Sequence, residues 1–193
     1  MRITLDACVI YPSVLRAILL RLARAGLFEP VWSERILEEW ARACVKLGPG
    51  APEAARAEAA AMRAVFPRAL QPARPEIEAR HILPDPADLH VLATAIASGS
   101  DAILTFNAAD FPRHILAAEG LERRDPDGFL WEMFSRAPQT VADAVESVRQ
   151  DAEAMAGAPV ARRPLLRRLR LNRLAKAMDA AEAVDGAKAG QGG

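Results

Sequence analysis

Four carboxylates stand at points in the sequence that a folded chain could bring together. Asp6 interrupts an apolar run, Ile3 to Ile10; Glu39 lies in Ser33-Glu-Arg-Ile-Leu-Glu-Glu-Trp40, Asp88 follows Asp85-Pro-Ala, and Asp110 lies in Thr105-Phe-Asn-Ala-Ala-Asp-Phe-Pro112. Each alone has an ordinary reading as a turn, cap or solvated residue; an acid in a first helical turn contributes only about 0.3–1 kcal/mol. Gathered together they require neutralisation. Two unit charges about 5 Å apart at an effective dielectric near 20 repel by about 3 kcal/mol, and the six pairs among four carboxylates reach an upper bound near 20 kcal/mol. Protonation relieves one or two of them, whereas an all-oxygen cluster without His or Cys suits a hard ion, Mg2+ or Mn2+. Such an ion keeps several waters, one of which can attack phosphorus.

The elements that would position these acids follow from periodicity. Ile3 to Ile10 reads as a buried parallel strand with Asp6 as its anomaly. Pro12 opens a helix to Ala25, with Val14, Leu15, Ile18, Leu19 and Leu22 at helical spacing and Gly26 as its stop. Phe28 to Trp32 fits a second strand, and Ser33 is a good N-cap for the helix carrying Glu39. On that helix Ile36, Leu37, Cys44 and Leu47 share the face of Trp40; Glu39 borders this stripe, while Glu38 lies roughly opposite. An Ala-rich helix spans Glu53 to Phe66, and Pro67 to Pro75 reads as a connection. Asp85 reads as an N-cap, with Pro86 at the first helical position and Asp88 at the third, opening a helix to Ser98. Gly99 leads to a strand at Ala102 to Phe106, then a short helix and a weak edge strand at Leu121 to Arg124. Strands alternating with helices predict an α/β fold, a three-layer α/β/α sandwich around a mainly parallel sheet with ligands at the carboxyl ends of its strands. From Phe129 onward the pattern is helical, roughly 129–135, 138–156 and 164–184, which gives domains at 1–130 and 131–184 and a Gly-rich, disordered tail at 185–193.

Composition narrows the classes. Of the 193 residues, 25 are Lys or Arg and 25 are Asp or Glu, which argues against a uniformly basic nucleic-acid coat protein. Cys8 and Cys44 show no CxxC spacing and no Cys/His cluster, so neither a zinc site nor a disulfide framework is expected. No apolar run approaches the roughly 18–20 residues of a membrane span, and the N-terminus lacks a signal-peptide pattern, so the expected location is cytoplasmic with no membrane partner.

In order and spacing, the motifs around Asp6, Glu39, Asp88 and Thr105 to Pro112 resemble those of PIN-domain nucleases, and are most similar to bacterial VapC-type toxins with a helical C-terminal extension. The resemblance covers residues 1–130 and, less distinctly, the helical tail. It implies a metal-dependent endoribonuclease with an RNA substrate, a cognate antitoxin protein as partner and, often, a homodimer. Asp6, Glu39 and Asp88 match the three core acids of that site. The fourth place departs from the pattern: Asn107 stands where many members have Asp, and the acid is displaced to Asp110. Asn107 can ligate through its carbonyl oxygen but brings no charge, so either Asp110 supplies the fourth carboxylate or a second ion binds weakly. Thr105, matching the Thr before the last acid, either orients a ligand or satisfies backbone. His90, two residues beyond Asp88, should point elsewhere, and His81 and His114 sit in loop-like contexts, so all three are read as surface or packing residues.

Two rivals accompany this reading. A phosphatase of the haloacid dehalogenase type also has an early aspartate but needs a second two residues later, where this chain has Cys8. A catalytically degenerate PIN fold acting as an RNA- or protein-binding module is motivated by Asn107. Between Val160 and Met178 the sequence holds seven cations, Arg162, Arg163, Arg167, Arg168, Arg170, Arg173 and Lys176, and no acid. They read as a solvated amphipathic helix, an RNA contact or an antitoxin-binding surface, and the few aromatics offer no obvious stacking platform.

Overall fold

In the computed structural model, which describes residues 1–190 and side chains through 184, five strands form one sheet in the order β3-β2-β1-β4-β5, every neighbour parallel. The strands are β1 Arg2–Leu5, β2 Glu29–Ser33, β3 Leu70–Gln71, β4 Ala102–Leu104 and β5 Glu122–Arg124. Ile3, Thr4 and Leu5 are consecutive and all buried. Successive strand side chains point to opposite faces, so the centre of the sheet is covered on both sides, as the α/β/α reading requires.

The first expectation to change concerns Ile3 to Ile10. The strand ends at Leu5, and Ala7–Ile10 form a short helix, α1. An unbroken apolar run does not distinguish a buried strand from a buried helix. Asp6 sits at the switch with extended backbone, φ −70° and ψ 151°, and its carbonyl accepts from Val9 N and Ile10 N. Asp6 is thus both the last residue of the strand path and the entry to a helix.

Helix α2 (Ser13–Arg24) buries Leu15, Ile18, Leu19 and Leu22, the expected stripe. Helix α3 (Glu34–Ala43) is capped as anticipated, with Ser33 Oγ accepting from Ile36 N at 3.3 Å. Helix α4 (Ala51–Val65) follows; the connection after it contains β3, which two residues among prolines did not announce. A short α5 (Pro75–Glu78) precedes a single 3-10 turn, Pro86–Asp88, that runs into α6 (Leu89–Ser98). Helix α6 packs against β1, β2 and β4 with α3 and α5 beside it. Gly99 ends it in the left-handed conformation, φ 61°, releasing the chain into β4.

Beyond α7 (Arg113–Ala118) and β5, α8 (Pro126–Arg136) spans the expected 130/131 boundary. Phe129 of α8 meets Phe28 edge-on at 5.2 Å between ring centroids, and both lie in one core that also takes in Val141, Leu166 and Leu174 of the later helices. Helix α9 (Pro138–Ala156) packs on α2 and α8. The single helix expected at 164–184 is two, α10 (Arg162–Arg168) and α11 (Asn172–Gly190), separated where Arg170 takes φ +61°. The expected tail, 185–193, falls on the end of α11 and on 191–193, which lie outside the described residues. Among the described residues no helix is long and apolar enough to cross a membrane.

One buried cation ties together the helices around the site. Arg16, 7% exposed, donates from Nε and Nη2 to the two oxygens of Glu58 on α4 at 2.7 and 2.6 Å. Its Nη1 donates to the carbonyls of Ile10 and Tyr11, and its guanidinium lies 4.4 Å from the Trp40 ring centroid on α3. Helices α1, α2, α3 and α4 therefore all contact a single guanidinium, whose planar donors suit this shared role.

Candidate active site

At the carboxyl ends of β1 and β4 a cleft of about 490 Å3 opens, lined by Asp6, Cys8, Tyr11, Glu39, Lys46, Asp88 and Asn107 among others. Three of the four expected acids therefore line one space, although they come from the end of β1, from α3 and from the start of α6. The fourth, Asp110, lies beside them: Asp85, Asp88 and Asp110 each offer an oxygen within 4.8 Å of the others. Asp85 also behaves as the expected cap, its Oδ1 accepting from Ala87 N at 2.8 Å. It joins the acidic group as a residue the sequence reading assigned only to capping.

Asp6 is 6% exposed, and its surroundings fix one side of the carboxylate. Thr105 Oγ1 donates to Oδ2 at 2.6 Å, and Cys8 Sγ donates to the same oxygen at 3.0 Å. The Thr105 hydroxyl oxygen accepts from Asn107 N at 2.9 Å. Thr105 thus does more than satisfy a strand end; it couples Asp6 to the loop carrying Asn107 and Asp110. Burial, and then the Asp6 charge, push the Cys8 thiol up to about 12, so it remains a protonated donor. Asn107 Nδ2 donates to Asp110 Oδ2, leaving its carbonyl oxygen available to the cleft. Arg123 of β5 braces this loop from behind by donating to the carbonyls of Ala108 and Phe111.

Asp88 carries the electrostatic signature of the cluster. Burial raises its carboxyl to about 6, with further contributions from the charges of Asp6, Asp110, Asp85 and Glu39. An acid that feels four other carboxylates lies where a cation is stabilised, and the donor set is oxygen throughout. The residues therefore fit a hard divalent ion.

On α3 the two adjacent glutamates separate as the helical wheel predicts. Glu38 meets Arg56 at 2.8 Å and Arg42 at 3.0 Å, and hydrogen bonds from these two hold its carboxyl down at about 2. Glu39 faces the cleft instead. His90 is a packed residue, 3% exposed, whose Nε2 lies 2.8 Å from Glu39 Oε1, though off the line of N–H donation, so among the described residues neither ring nitrogen has an aligned partner. The sequence reading did not anticipate this approach to an acid of the same site. Only a sequence signal linking α3 to α6 could have revealed this. Lys46 and Tyr11 were likewise missed; nothing local distinguishes them from surface residues. His81 lies 3.1 Å from Glu119 and is tied to Ile77 O, remote from the cleft acids in its contacts.

The basic segment divides. Arg162 pairs with Glu182 and with Asp179 (2.9 Å), and Arg163 reaches Asp179 at 3.4 Å. These two bind α10 to α11. Arg167, Arg168, Arg170 and Lys176 are exposed. Arg173 stacks over Trp131 of α8, with 4.7 Å from its guanidinium carbon to the ring centroid. Among the described residues none of the seven lines the acidic cleft.

A family model described as PIN domain matches residues 2–109, more than half of the chain and the part that supplies Asp6, Glu39, Asp88 and Asn107. No curated protein and no solved structure matches the chain.

Proposed function

The chain belongs to the PIN-domain family, a nuclease superfamily, and from that premise we propose that it is a divalent-metal-dependent endoribonuclease. The observation that carries this reading is the convergence of Asp6, Glu39, Asp88 and Asn107 on one cleft, with Asp110 against Asp88 and the Asp88 carboxyl raised by its acidic neighbours. Asp6, Glu39, Asp88 and Asp110 would hold Mg2+ or Mn2+, with the Asn107 carbonyl as a neutral donor. When bound, the ion supplies charge neutralisation, an activated water and stabilisation of the departing oxygen.

The chain's own residues supply positioning. Thr105 and Cys8 fix Asp6 Oδ2, and the coupling from Thr105 to Asn107 N sets the loop that carries the fourth acid. Glu39 and Asp88 orient the attacking water. Hydrolysis adds its hydroxyl to phosphorus, breaks one P–O ester bond and returns a proton to the leaving oxygen. No side-chain nucleophile is required, which separates this chemistry from that of an aspartyl-phosphate enzyme. Lys46, at the cleft wall, offers a cation for a substrate phosphate.

The role of toxin restrained by an antitoxin, and assembly as a homodimer, are extensions of the proposal supported by motif order and the helical C-terminal part. Arg167, Arg168, Arg170 and Lys176 are the exposed cations such a partner, or RNA, would meet.

The test is incubation of the full chain with total cellular RNA, with and without Mn2+, and mapping of new ends, beside Asp6→Asn. Cleavage that requires Mn2+ and disappears in a folded Asp6→Asn protein supports the proposal; undiminished cleavage by that variant rejects it. A protein that takes up no Mg2+ or Mn2+ at millimolar concentration in calorimetry would instead be a binding module.

A further inference from the structure

The carboxyl end of β5 borders the carboxyl end of β4: Leu104 pairs with Arg124, and Thr105 N donates to Arg124 O at 3.1 Å. One strand spacing from the residues that hold Asp6, a second groove of about 460 Å3 is built from α7, β5, α8 and the start of α11. Its walls carry Arg113, Arg123, Arg124 and Arg173, with the Trp131 ring 39% exposed among them.

Three carboxylates share this groove, and two of them neutralise Arg124 within it: Glu122 lies 3.4 Å from Arg124 and Glu132 also pairs with it, which leaves Arg113 and Arg173 as the cations for a ligand. Glu132 is shared by Arg124 and Arg136, and Asp125 Oδ1 caps α8 by accepting from Gly128 N at 2.8 Å. Arg123 is engaged by the Ala108 and Phe111 carbonyls, which neutralise no charge. Among the described residues Arg173 is held in place without an ion pair of its own in the groove. Its backbone N donates to Asp127 Oδ2 at 2.9 Å, Leu174 N donates to Oδ1 at 3.0 Å, and its guanidinium covers one part of the Trp131 ring. A cation stacked on a half-exposed indole offers a charge for a phosphate and a flat surface for a base, the pairing by which single strands are held without sequence readout.

We propose that this groove is a binding subsite for single-stranded RNA flanking the scissile phosphate, with an unpaired base against Trp131 and backbone phosphates on Arg113 and Arg173. The subsite rests on the endoribonuclease reading for its substrate, but not on catalysis for its test. It makes the C-terminal helices part of substrate binding, because Trp131 and Arg173 lie beyond the residues that match the family. It would use the one exposed indole at Trp131, where the few aromatics of the sequence offer no obvious stacking platform.

The experiment is fluorescence anisotropy of a labelled single-stranded oligoribonucleotide with the full chain in EDTA, across a salt series, so that no cleavage occurs. Trp131→Ala should weaken binding by about fivefold or more with little change in salt dependence, and Trp131→Phe should restore most of it. Arg113→Gln and Arg173→Gln should each reduce the slope of log affinity against log salt by about 0.7. The same RNA as a duplex should be insensitive to Trp131→Ala. Absence of binding by the parent chain, or affinities of Trp131→Ala, Arg113→Gln and Arg173→Gln all within about twofold of the parent, overturns the subsite even if the protein cleaves RNA. Groove-dependent binding by a protein that cuts nothing would retain the subsite and reject the nuclease.

Discussion

Asp88→Asn should stabilise the metal-free protein while abolishing its activity. The Asp88 carboxyl rises from 3.8 to about 6 on folding, through burial and then through Asp6, Asp110, Asp85 and Glu39. The folded state therefore binds this proton more tightly than the unfolded state. Stability from this group is fully present below pH 3.8 and is lost as pH rises through about 6. Above that pH the full shift corresponds to about 3 kcal/mol against folding. Solvent access at this half-exposed group and the favourable dipole of α6 reduce the figure to about 1–2 kcal/mol. Asn removes the charge at nearly constant shape, and Asp88 makes no side-chain capping bond to lose. In EDTA at pH 7.5, scanning calorimetry should show a rise of roughly 2–8 °C in Tm, shrinking toward pH 4. With Mn2+ at about 100 times its Kd, the parent chain should gain about 2.7 kcal/mol that the variant lacks, reversing the order. An Asp88→Asn protein no more stable than its parent in EDTA at pH 7.5, or a gain independent of pH, would refute the electrostatic account of the cleft.

Three further outcomes follow from individual contacts. Thr105→Val removes the donor to Asp6 and the acceptor of Asn107 N; it should cost about 1–3 kcal/mol by urea denaturation and weaken Mn2+ binding in calorimetry. Asn107→Asp adds a carboxylate beside Asp110, so it should tighten binding of a second ion in calorimetry and lower Tm in EDTA, with both effects reduced at high salt. Arg170→Gly relieves a left-handed residue between α10 and α11 and should stabilise by about 0.4–1 kcal/mol in thermal unfolding.

The elements that carry the site were legible because their caps and periods are strong. Ser33 and Asp85 announce the starts of two helices, and the wheel of α3 separates Glu39 from Glu38. The architecture followed from the alternation of strands and helices. What escaped depended on tertiary neighbours. The apolar character of Ala7 to Ile10 is shared by strand and helix, and only packing against α2 and α3 chooses between them. The break at Arg170 has no glycine to mark it. His90 is expected to point away from the site, but α3 brings Glu39 within 2.8 Å of its Nε2. The groove at Trp131 needs α8, β5 and α11 together, three elements whose adjacency no local pattern encodes.

The placement of β1 between β2 and β4 has a consequence for biosynthesis. The hydroxyl that orients Asp6 belongs to a residue 99 positions downstream, and the loop bearing Asn107 and Asp110 comes later still. As the polypeptide leaves the ribosome, β1 and β2 can pair early, yet the cleft has no second wall until β4 has been made and docked. Products of premature termination before Ala102 therefore carry Asp6, Glu39 and Asp88 without Thr105, the donor to Asp6, and without Asn107 and Asp110.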